Sequence, residues 1–373
     1  MIELQSYQTL QQEITERIRE DRGLLEQIRA EIRPLKSGVR SIQPRTSTSI
    51  SLVATDGGNN KLQFDPFLVQ LIRVVDSSNN EYCLEAITPT TNITQLSEKQ
   101  WAADGTPRTA LGKMMAYLGV RHLAHLSQMI RTTNNTDTIS ASWVQSYREM
   151  VEWATLFSLI REKDFGSDTL IVFDGLLRSK QFADGLFARY LDGLNEGIER
   201  HRKQRRKVYL VGIAKHSQAL TRYRLAMALE HILVTNYPAY VDIPLDIEKK
   251  AYIDTKWPFG NEQTGPFLGG KMFFVKFGSG PRDPIWPVDI YLPQVADAQI
   301  VLGYLLADAI NGFPVPFYPQ CLQQAHEHAA LIDFDLDMLQ DHIFEGIRDT
   351  LGHEAPVLDT FRLQDADPSR QRY

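Results

Sequence analysis

Residues 51–58 read Ser-Leu-Val-Ala-Thr-Asp-Gly-Gly, and residues 169–175 read Thr-Leu-Ile-Val-Phe-Asp-Gly. Each stretch is an apolar run of the length of a buried strand, and each run ends in an aspartate followed by glycine. Residues 67–75 and 82–88 are two more strand candidates, separated by the turn residues Asp-Ser-Ser-Asn-Asn at 76–80. The chain is therefore predicted to begin its core with three strands joined by hairpins.

Helices and two further strands complete the predicted core. We expect helices over residues 106–131 and 141–163 before the strand at 169–173, then a helix over roughly 181–203 and a strand at 208–213. Continuous apolar strands that follow helices are typical of parallel strands covered on both faces. The predicted order is three strands joined by hairpins, then two helices, then a strand–helix–strand unit. This order predicts an RNase H-like α/β fold, with a mixed sheet flanked by helices.

The chain divides into three predicted parts. Residues 1–45 form an N-terminal arm and linker, in which apolar residues at helical spacing predict one long amphipathic helix over 1–35. Such a helix packs on its own domain or on a second subunit. Residues 46–335 form the main domain, with an RNase H-like core over about 50–220 and α+β additions behind it. Residues 336–373 form a C-terminal helix and a polar tail.

The additions after residue 220 have a mixed pattern. We expect, in order, helix 221–234, an irregular stretch rich in proline and glycine up to 270, strands near 272–277 and 288–292, and helix 295–311.

Composition indicates an ordinary globular protein, with 43% apolar residues, 23% charged residues and a net charge of −6. The two cysteines, Cys83 and Cys321, provide neither a disulfide framework nor a metal-ligand cluster, which favours a reducing cytoplasm. The charged N-terminus lacks the apolar core of a signal peptide, and no apolar run is long enough to cross a membrane. We therefore expect a cytoplasmic protein without a membrane anchor. The negative charge does not exclude a nuclease, because its DNA contacts can be local.

The two aspartates suit a metal centre. If the strands that carry Asp56 and Asp174 are neighbours, both carboxylates lie at the same edge of the sheet. Hydrolysis of a phosphodiester needs an activated water, a stabilised leaving oxygen and a neutralised phosphate. Two divalent ions about 4 Å apart meet these needs, and carboxylate oxygens are suitable ligands. The adjoining glycines allow close approach by metal or substrate. Because Asp-Gly is a common turn dipeptide, either aspartate taken alone has a purely structural interpretation.

A third carboxylate is expected from the helix that precedes Asp174. Glu149 and Glu152 are the candidates. Glu152 flanks the apolar stripe that includes Val144 and Val151, whereas Glu149 points away from it, so Glu152 is the predicted third ligand. The alternative for Glu152 is an ordinary glutamate on the helix surface.

Three basic features accompany these carboxylates. Lys215 follows the strand at 208–213 and is placed to bind a phosphate as a point charge, unless it is simply solvated. His326 is the candidate for a late ligand or an imidazole that polarises the phosphate. His328 lies two residues further on and points elsewhere on a helix. The basic run at 201–207 is predicted to be a solvated helix end that the helix dipole favours, rather than a DNA contact.

Three motifs in this order resemble those of the NurA nucleases: Val-Ala-Thr-Asp-Gly-Gly at 53–58, Leu-Ile-Val-Phe-Asp-Gly-Leu-Leu at 170–177 and Val-Gly-Ile-Ala-Lys-His-Ser at 211–217. The resemblance covers about residues 45–335, and the N-terminal helix is also typical. It implies an RNase H-like homodimer that cuts DNA with manganese or magnesium, as a 5′-to-3′ exonuclease and single-strand endonuclease. It also implies a hexameric HerA-type ATPase as the partner in DNA end resection.

Carried over by motif, the resemblance makes Asp56 and Asp174 the metal-binding catalytic aspartates, Glu152 the helical glutamate and His326 the late histidine. The chain departs from the family pattern at Gly58, where a serine is more frequent. An alternative is a catalytically silent RNase H-like module that binds nucleic acid or supports a motor. Retention of both aspartates counts against this alternative, because a binding module needs neither.

Overall fold

Nine strands in the described part of the chain form one mixed sheet. The computed structural model describes residues 3–45, 50–64, 67–130, 142–183, 185–252, 267–330 and 333–357, and for 4–5, 50–64, 67–68, 142, 333–337, 340 and 357 it describes the backbone alone. The strands are β1 (Arg40–Ser41), β2 (Ile50–Phe64), β3 (Phe67–Asp76), β4 (Glu81–Ile87), β5 (Asp168–Asp174), β6 (Val208–Ile213), β7 (Ala239–Asp242), β8 (Gly270–Lys276) and β9 (Ile285–Tyr291). Their spatial order is β1-β7-β8-β9-β6-β5-β2-β3-β4.

Strand β2 joins the antiparallel and parallel parts of the sheet. It pairs in parallel with β5, from Ile50 opposite Asp168 to Thr55 opposite Phe173. From Thr55 onward it pairs antiparallel with β3, so β2 continues beyond the end of β5. On the other side of β5, β6 pairs in parallel and is followed by the antiparallel β9. The predicted mixed α/β fold is confirmed, and the C-terminal strands extend the same sheet.

Helices cover both faces of this sheet. In the described residues they are α1 (Leu4–Glu20), α2 (Arg22–Ile32), α3 (Ile93–Glu98), α4 (Ala110–Leu118), α5 (Leu123–Leu126), α6 (Ser142–Glu162), α7 (Leu186–Lys203), α8 (Gln218–Leu229), α9 (Leu245–Lys250), α10 (Ala298–Ala309), α11 (Gln320–Ala329) and α12 (Asp333–Leu351). None of these described helices has the length and apolar composition of a membrane span.

Successive residues of β5 belong to different hydrophobic cores, as expected for side chains that alternate across a strand. Phe173 packs with Trp153 and Phe187 of α6 and α7 on one face. Val172 packs on the other face, in the cluster that contains Leu302 and Leu322 of α10 and α11. A third cluster joins α2 and α8 to strands β7 and β8.

Several elements differ from the sequence prediction. The helix expected over 106–131 is divided into α4 and α5, because Gly119 adopts φ 73° and ends α4. The short helices α3 and α9 and the short strands β1 and β7 lie where no regular element was expected. All four are short elements, whose sequence patterns are the weakest.

The N-terminal arm consists of two helices that meet at Asp21, rather than one. Ile32 of α2 is buried against the cluster that contains α8. In α1, by contrast, the side chains of Leu10, Ile14 and Ile18 are exposed by 43%, 49% and 66%. The second half of the predicted helix therefore packs on its own domain, and the first half presents an apolar face to solvent.

Asp76 closes the turn between β3 and β4. Its buried carboxylate accepts hydrogen bonds from the backbone N–H groups of Ser78 and Asn80, at 2.9 and 3.0 Å. It also accepts from the Asn80 amide at 2.8 Å and from the Tyr82 hydroxyl at 2.9 Å. Burial alone would raise the pKa of Asp76, but these hydrogen bonds outweigh burial and hold the pKa below its ordinary value.

We expect Asp76→Asn to lower the free energy of unfolding by about 1–3 kcal/mol near neutral pH, because a neutral NH2 group replaces the oxygen that accepts from the Asn80 amide and the Tyr82 hydroxyl. The folded-state pKa lies below the unfolded value, so the contribution is complete above the unfolded pKa and is lost as pH falls through the folded pKa. The difference between the two proteins should therefore shrink below about pH 4. Urea unfolding across pH measures it, with the exposed Asp192→Asn as control. A difference that grows toward low pH would contradict this role for Asp76.

Candidate active site

Asp56 and Asp174 lie side by side on neighbouring strands. Asp56 follows Thr55 and Asp174 follows Phe173, and these two preceding residues are register partners in the parallel pair β2–β5. Neighbouring strands are about 4.8 Å apart, so the backbone brings the two aspartates within the range at which carboxylates share a metal centre. The prediction that these strands are neighbours is confirmed.

Asp56 does not end its strand, contrary to prediction. Gly57 and Gly58 continue β2 and pair with Val74 and Arg73 of β3. The Asp-Gly-Gly sequence is therefore not a turn, and the purely structural interpretation of this dipeptide does not apply to Asp56. Asp56 instead marks the level at which β2 leaves β5 and continues with β3 alone.

Asp174 is the last residue of β5, as predicted. Gly175 follows with φ 136°, a conformation that residues with a side chain rarely adopt, and its N–H donates to the Ile213 carbonyl at 2.8 Å. A Cβ at Gly212 would collide with the Gly175 carbonyl. These two glycines allow the chain to turn sharply after the aspartate while it stays hydrogen-bonded to β6.

Tyr318 fixes the Asp174 side chain. The Tyr318 hydroxyl donates to Asp174 Oδ1 at 3.1 Å, and the Tyr318 ring packs edge-on against Trp286 at 4.9 Å between centroids. The Trp286 indole N–H donates to the carbonyl of Phe317 at 2.6 Å, which holds the residue before the tyrosine. Asp174 and Tyr318 are 144 residues apart, and no sequence pattern linked them.

Lys215 lies at the same edge, as predicted. Asp174 is opposite Ile213 in the β5–β6 pairing, and Lys215 comes two residues after Ile213. Its exposed ammonium is 5.5 Å from the centre of the Tyr318 ring. Such a cation–π contact positions a lysine without neutralising it. A positive charge thus stands beside the tyrosine that bonds Asp174.

Glu149 and Glu152 both lie on the part of α6 that flanks this edge. The ring of Trp153 packs on Phe173 at 4.8 Å, directly before Asp174. The apolar stripe used to choose Glu152 does not discriminate, because α6 is buried on almost all sides. Leu156 and Ile160, on the side assigned to Glu149, are fully buried as well.

The two glutamates have different partners. Glu149 accepts a hydrogen bond from the Ser179 hydroxyl at 2.7 Å, and the Trp153 indole N–H approaches the same oxygen at 3.4 Å. Glu152 forms an ion pair with Arg148 at 3.4 Å and is half-buried. Glu149 thus joins α6 to the loop after β5. The choice of Glu152 as third ligand stays a prediction.

His326 lies on α11, which packs across β2, β3 and β5. Tyr318, just before this helix, reaches Asp174, and at the other end Arg73 donates to the His328 carbonyl at 2.7 Å. Arg73 is opposite Gly58. The helix therefore runs from Asp174 toward the β2 segment just beyond Asp56, with the exposed side chain of His326 along the way. Its role as a late ligand stays a prediction.

The basic run at 201–207 lies at the other end of β6 from the candidate site. It ends just before Val208, the first residue of β6, whereas Asp174 faces the last residue of that strand. Most of its side chains are exposed, as predicted, but His201 is buried and its ring contacts the Ile160 carbonyl at 3.0 Å. Burial lowers the pKa of His201.

Among the residues with described side chains, no three acidic, histidine or cysteine residues are grouped as a metal site. That set does not include the Asp56 side chain. The donor chemistry of the edge nevertheless fits a hard divalent cation, because both aspartates offer carboxylate oxygens and Asp174 is held in place by Tyr318.

Comparisons with known proteins give structural likeness alone. No family model and no curated protein sequence matches the chain. The structure is similar to the NurA nuclease from Sulfolobus solfataricus, with 14% identity and a TM-score of 0.42 over 94% of this chain and 99% of that one. It is also similar to NurA bound to dAMP and manganese, with 11% identity and a TM-score of 0.40 over 88% and 94%. Likeness at this level carries no argument about activity, so the function is inferred from the residues of this chain.

Proposed function

We propose that this protein is a metal-dependent deoxyribonuclease. It hydrolyses phosphodiester bonds at the C-terminal end of β5, where Asp174 lies beside Asp56 of β2. The observation that carries the proposal is the parallel register that sets Asp56 beside Asp174. Two adjacent aspartates, at the level where β5 ends and β2 continues with β3, are costly for stability, since like charges repel. A divalent cation removes that cost and gives the pair a function.

In this proposal Asp56 and Asp174 hold the metal, and Glu152 completes the carboxylate set. A bound divalent ion activates water and neutralises charge on the phosphate. The Tyr318 hydroxyl, which donates to Asp174 Oδ1, keeps that carboxylate in one orientation. Lys215 carries the exposed cation that binds a neighbouring phosphate, and His326 contacts the phosphate from α11.

The finer assignment follows from the motifs that resemble the NurA nucleases. We infer 5′-to-3′ exonuclease and single-strand endonuclease activity in DNA end resection, with manganese or magnesium as cofactor. We also infer a hexameric HerA-type ATPase as partner. An acidic chain, with a net charge of −6, gains from a partner that delivers the DNA.

Asp56→Asn and Asp174→Asn are each expected to abolish metal-dependent cleavage while the protein stays folded. Each substitution removes a ligand charge and almost no volume. The measurement is digestion of end-labelled DNA with manganese, with and without a chelator, and circular dichroism reports the fold. Asp192→Asn, on the exposed side of α7, is the matched control. Cleavage that persists in both single variants would exclude the proposed metal site. DNA binding without cleavage by the unmodified protein would favour the catalytically silent alternative.

Glu152→Gln is expected to lower cleavage by orders of magnitude and to weaken manganese binding. Glu149→Gln is expected to leave activity within a few-fold but to lower the free energy of unfolding by about 1 kcal/mol, because it weakens the bond to Ser179. The two variants are matched, since both are on α6 and change a carboxylate to an amide. Side-by-side nuclease assays across a manganese titration decide between them. The reverse ranking would assign the metal to Glu149.

We also propose that α1 joins two copies of the chain. Its apolar residues Leu10, Ile14 and Ile18 are exposed on one face, together with Tyr7 at 47%. Leu24 of α2, exposed by 52%, adds to the apolar surface of the arm. A helix with such a stripe is stabilised when the stripe is covered, and an equivalent helix on a second copy offers the same chemistry.

Ile14→Asp is expected to convert a dimer into a monomer, because it places a charge in the apolar face of α1. Light scattering at micromolar concentration measures the mass, and Gln12→Asp on the same helix is the control. Binding of each variant to a HerA-type ATPase tests whether the dimer is the form that docks. A monomeric unmodified protein without affinity for such an ATPase would overturn both partner assignments.

A further inference from the structure

An apolar patch occupies the loop at 310–317, between α10 and α11. The side chains of Ile310, Phe313 and Val315 are exposed by 54%, 77% and 36%. Phe313 is the most exposed large hydrophobic residue in the described part of the chain. Single exposed apolar residues are ordinary, but several exposed apolar residues close together in one loop are typical of a contact site.

This loop is held in one conformation by α11. The Phe313 N–H donates to Gln320 Oε1 at 2.9 Å, and the Val315 N–H donates to Gln323 Oε1 at 2.7 Å. The residue after each of them is a proline, which has no N–H and a fixed φ. Gln323 also donates to the Val315 carbonyl at 3.1 Å. Phe313 therefore belongs to an ordered loop. Because the loop is already ordered, little conformational entropy is lost when a ligand covers the Phe313 side chain.

The loop adjoins the candidate active site through Tyr318. Gly312 lies so close to the Tyr318 backbone that a Cβ on the glycine would collide with the tyrosine carbonyl. Gln323, which holds the loop, also donates to that carbonyl at 3.0 Å. The Tyr318 side chain in turn reaches Asp174, and Lys215 lies over its ring. The exposed phenyl group, the candidate metal ligand and the cation thus belong to one connected structure.

We propose that Phe313 stacks on an unpaired base of the nucleic-acid strand held at the Asp174 edge. This inference rests on the proposed nuclease function and specifies a single-stranded segment as the form of substrate bound there. Sites for single strands combine cations that track the phosphates with aromatic side chains that stack on bases. Lys215, over the Tyr318 ring, and Phe313, in the loop that contacts the Tyr318 backbone, supply these two elements. Bases within a duplex are already stacked on each other, so such a platform favours strands with unpaired ends.

A base fits this patch better than a second protein does. Most of the exposed surface of the patch belongs to one aromatic ring, Phe313, in a loop that contacts the Tyr318 backbone, whereas the broader apolar face of α1 suits a protein partner. The loop that carries Phe313 also contacts Tyr318, whose hydroxyl holds Asp174, so a base bound there belongs to the same strand as the phosphate at Asp174 in this proposal.

The test compares two labelled single strands of equal length in the presence of chelator, so that neither is cut. One strand carries normal bases, and the other is abasic with the same phosphate charge. The full-length protein should bind the strand with bases more tightly, and Phe313→Ala should reduce this preference by about fivefold or more. Phe313→Trp should retain it. Leu225→Ala, which removes a side chain exposed by 61% on α8, is the control and should leave it unchanged.

The outcomes separate this inference from the proposed function. Metal-dependent cleavage by Phe313→Ala, with an unchanged preference for bases, overturns the stacking role and leaves the nuclease assignment intact. Equal weakening for both strands, or a change of mass in light scattering, also overturns it and indicates a phosphate or protein contact instead. An unmodified protein that neither binds nor cuts single strands overturns both proposals. A selective loss of preference in Phe313→Ala with restoration in Phe313→Trp supports stacking.

Discussion

The parallel pairing of Thr55 with Phe173 is the constraint on which the candidate site depends. Register in a sheet is discrete, and a shift by one residue would move every side chain of β2 to the other face. The pairing is maintained by cores on both faces, in which Phe173 and Val172 pack in opposite directions. The same forces that bury the apolar residues of β5 therefore place Asp174 beside Asp56. The position of the two charges is a consequence of packing, and their mutual repulsion is the cost that a cation would offset.

Around this pair, the elements that hold the edge come from distant parts of the chain. Tyr318 approaches from the start of α11, Lys215 follows β6, and Glu149 ties α6 to Ser179 in the loop after β5. Each contact is local in space and remote in sequence. The hydrogen bond from Tyr318 restricts the motion of Asp174 before any ligand arrives, and such preorganisation is what a metal centre or a phosphate site requires. The ring of Tyr318 serves two functions, since it orients the carboxylate through its hydroxyl and supports the lysine through its face.

Part of this arrangement could be predicted from the sequence. Strands β5 and β6 are continuous apolar runs with clear ends, so the positions of Asp174 and Lys215 followed directly. The continuation of β2 through Gly57 could not be predicted, because that segment is polar and becomes a strand by pairing with β3. The sequence could not decide between Glu149 and Glu152 for another reason. A helix buried on almost every side has no single apolar stripe from which its orientation can be inferred. Tyr318 left no local signal, because its role arises from a contact with a residue 144 positions away.

The charge of the chain constrains how it can hold nucleic acid. A net charge of −6 argues against binding of nucleic acid along a long basic groove. The one dense basic run in the sequence, at 201–207, lies at the other end of β6 from Asp174. In the proposed nuclease, affinity at the Asp174 end of β5 must therefore come from a few local interactions. A divalent cation and Lys215 would provide positive charge at the phosphate itself. Stacking on Phe313 would add an interaction that does not depend on charge, and so it would be neither weakened by the acidic surface nor screened by salt. The overall electrostatic field of an acidic chain does not attract duplex DNA at random. Such a chain can therefore select a strand end by the geometry of its binding site.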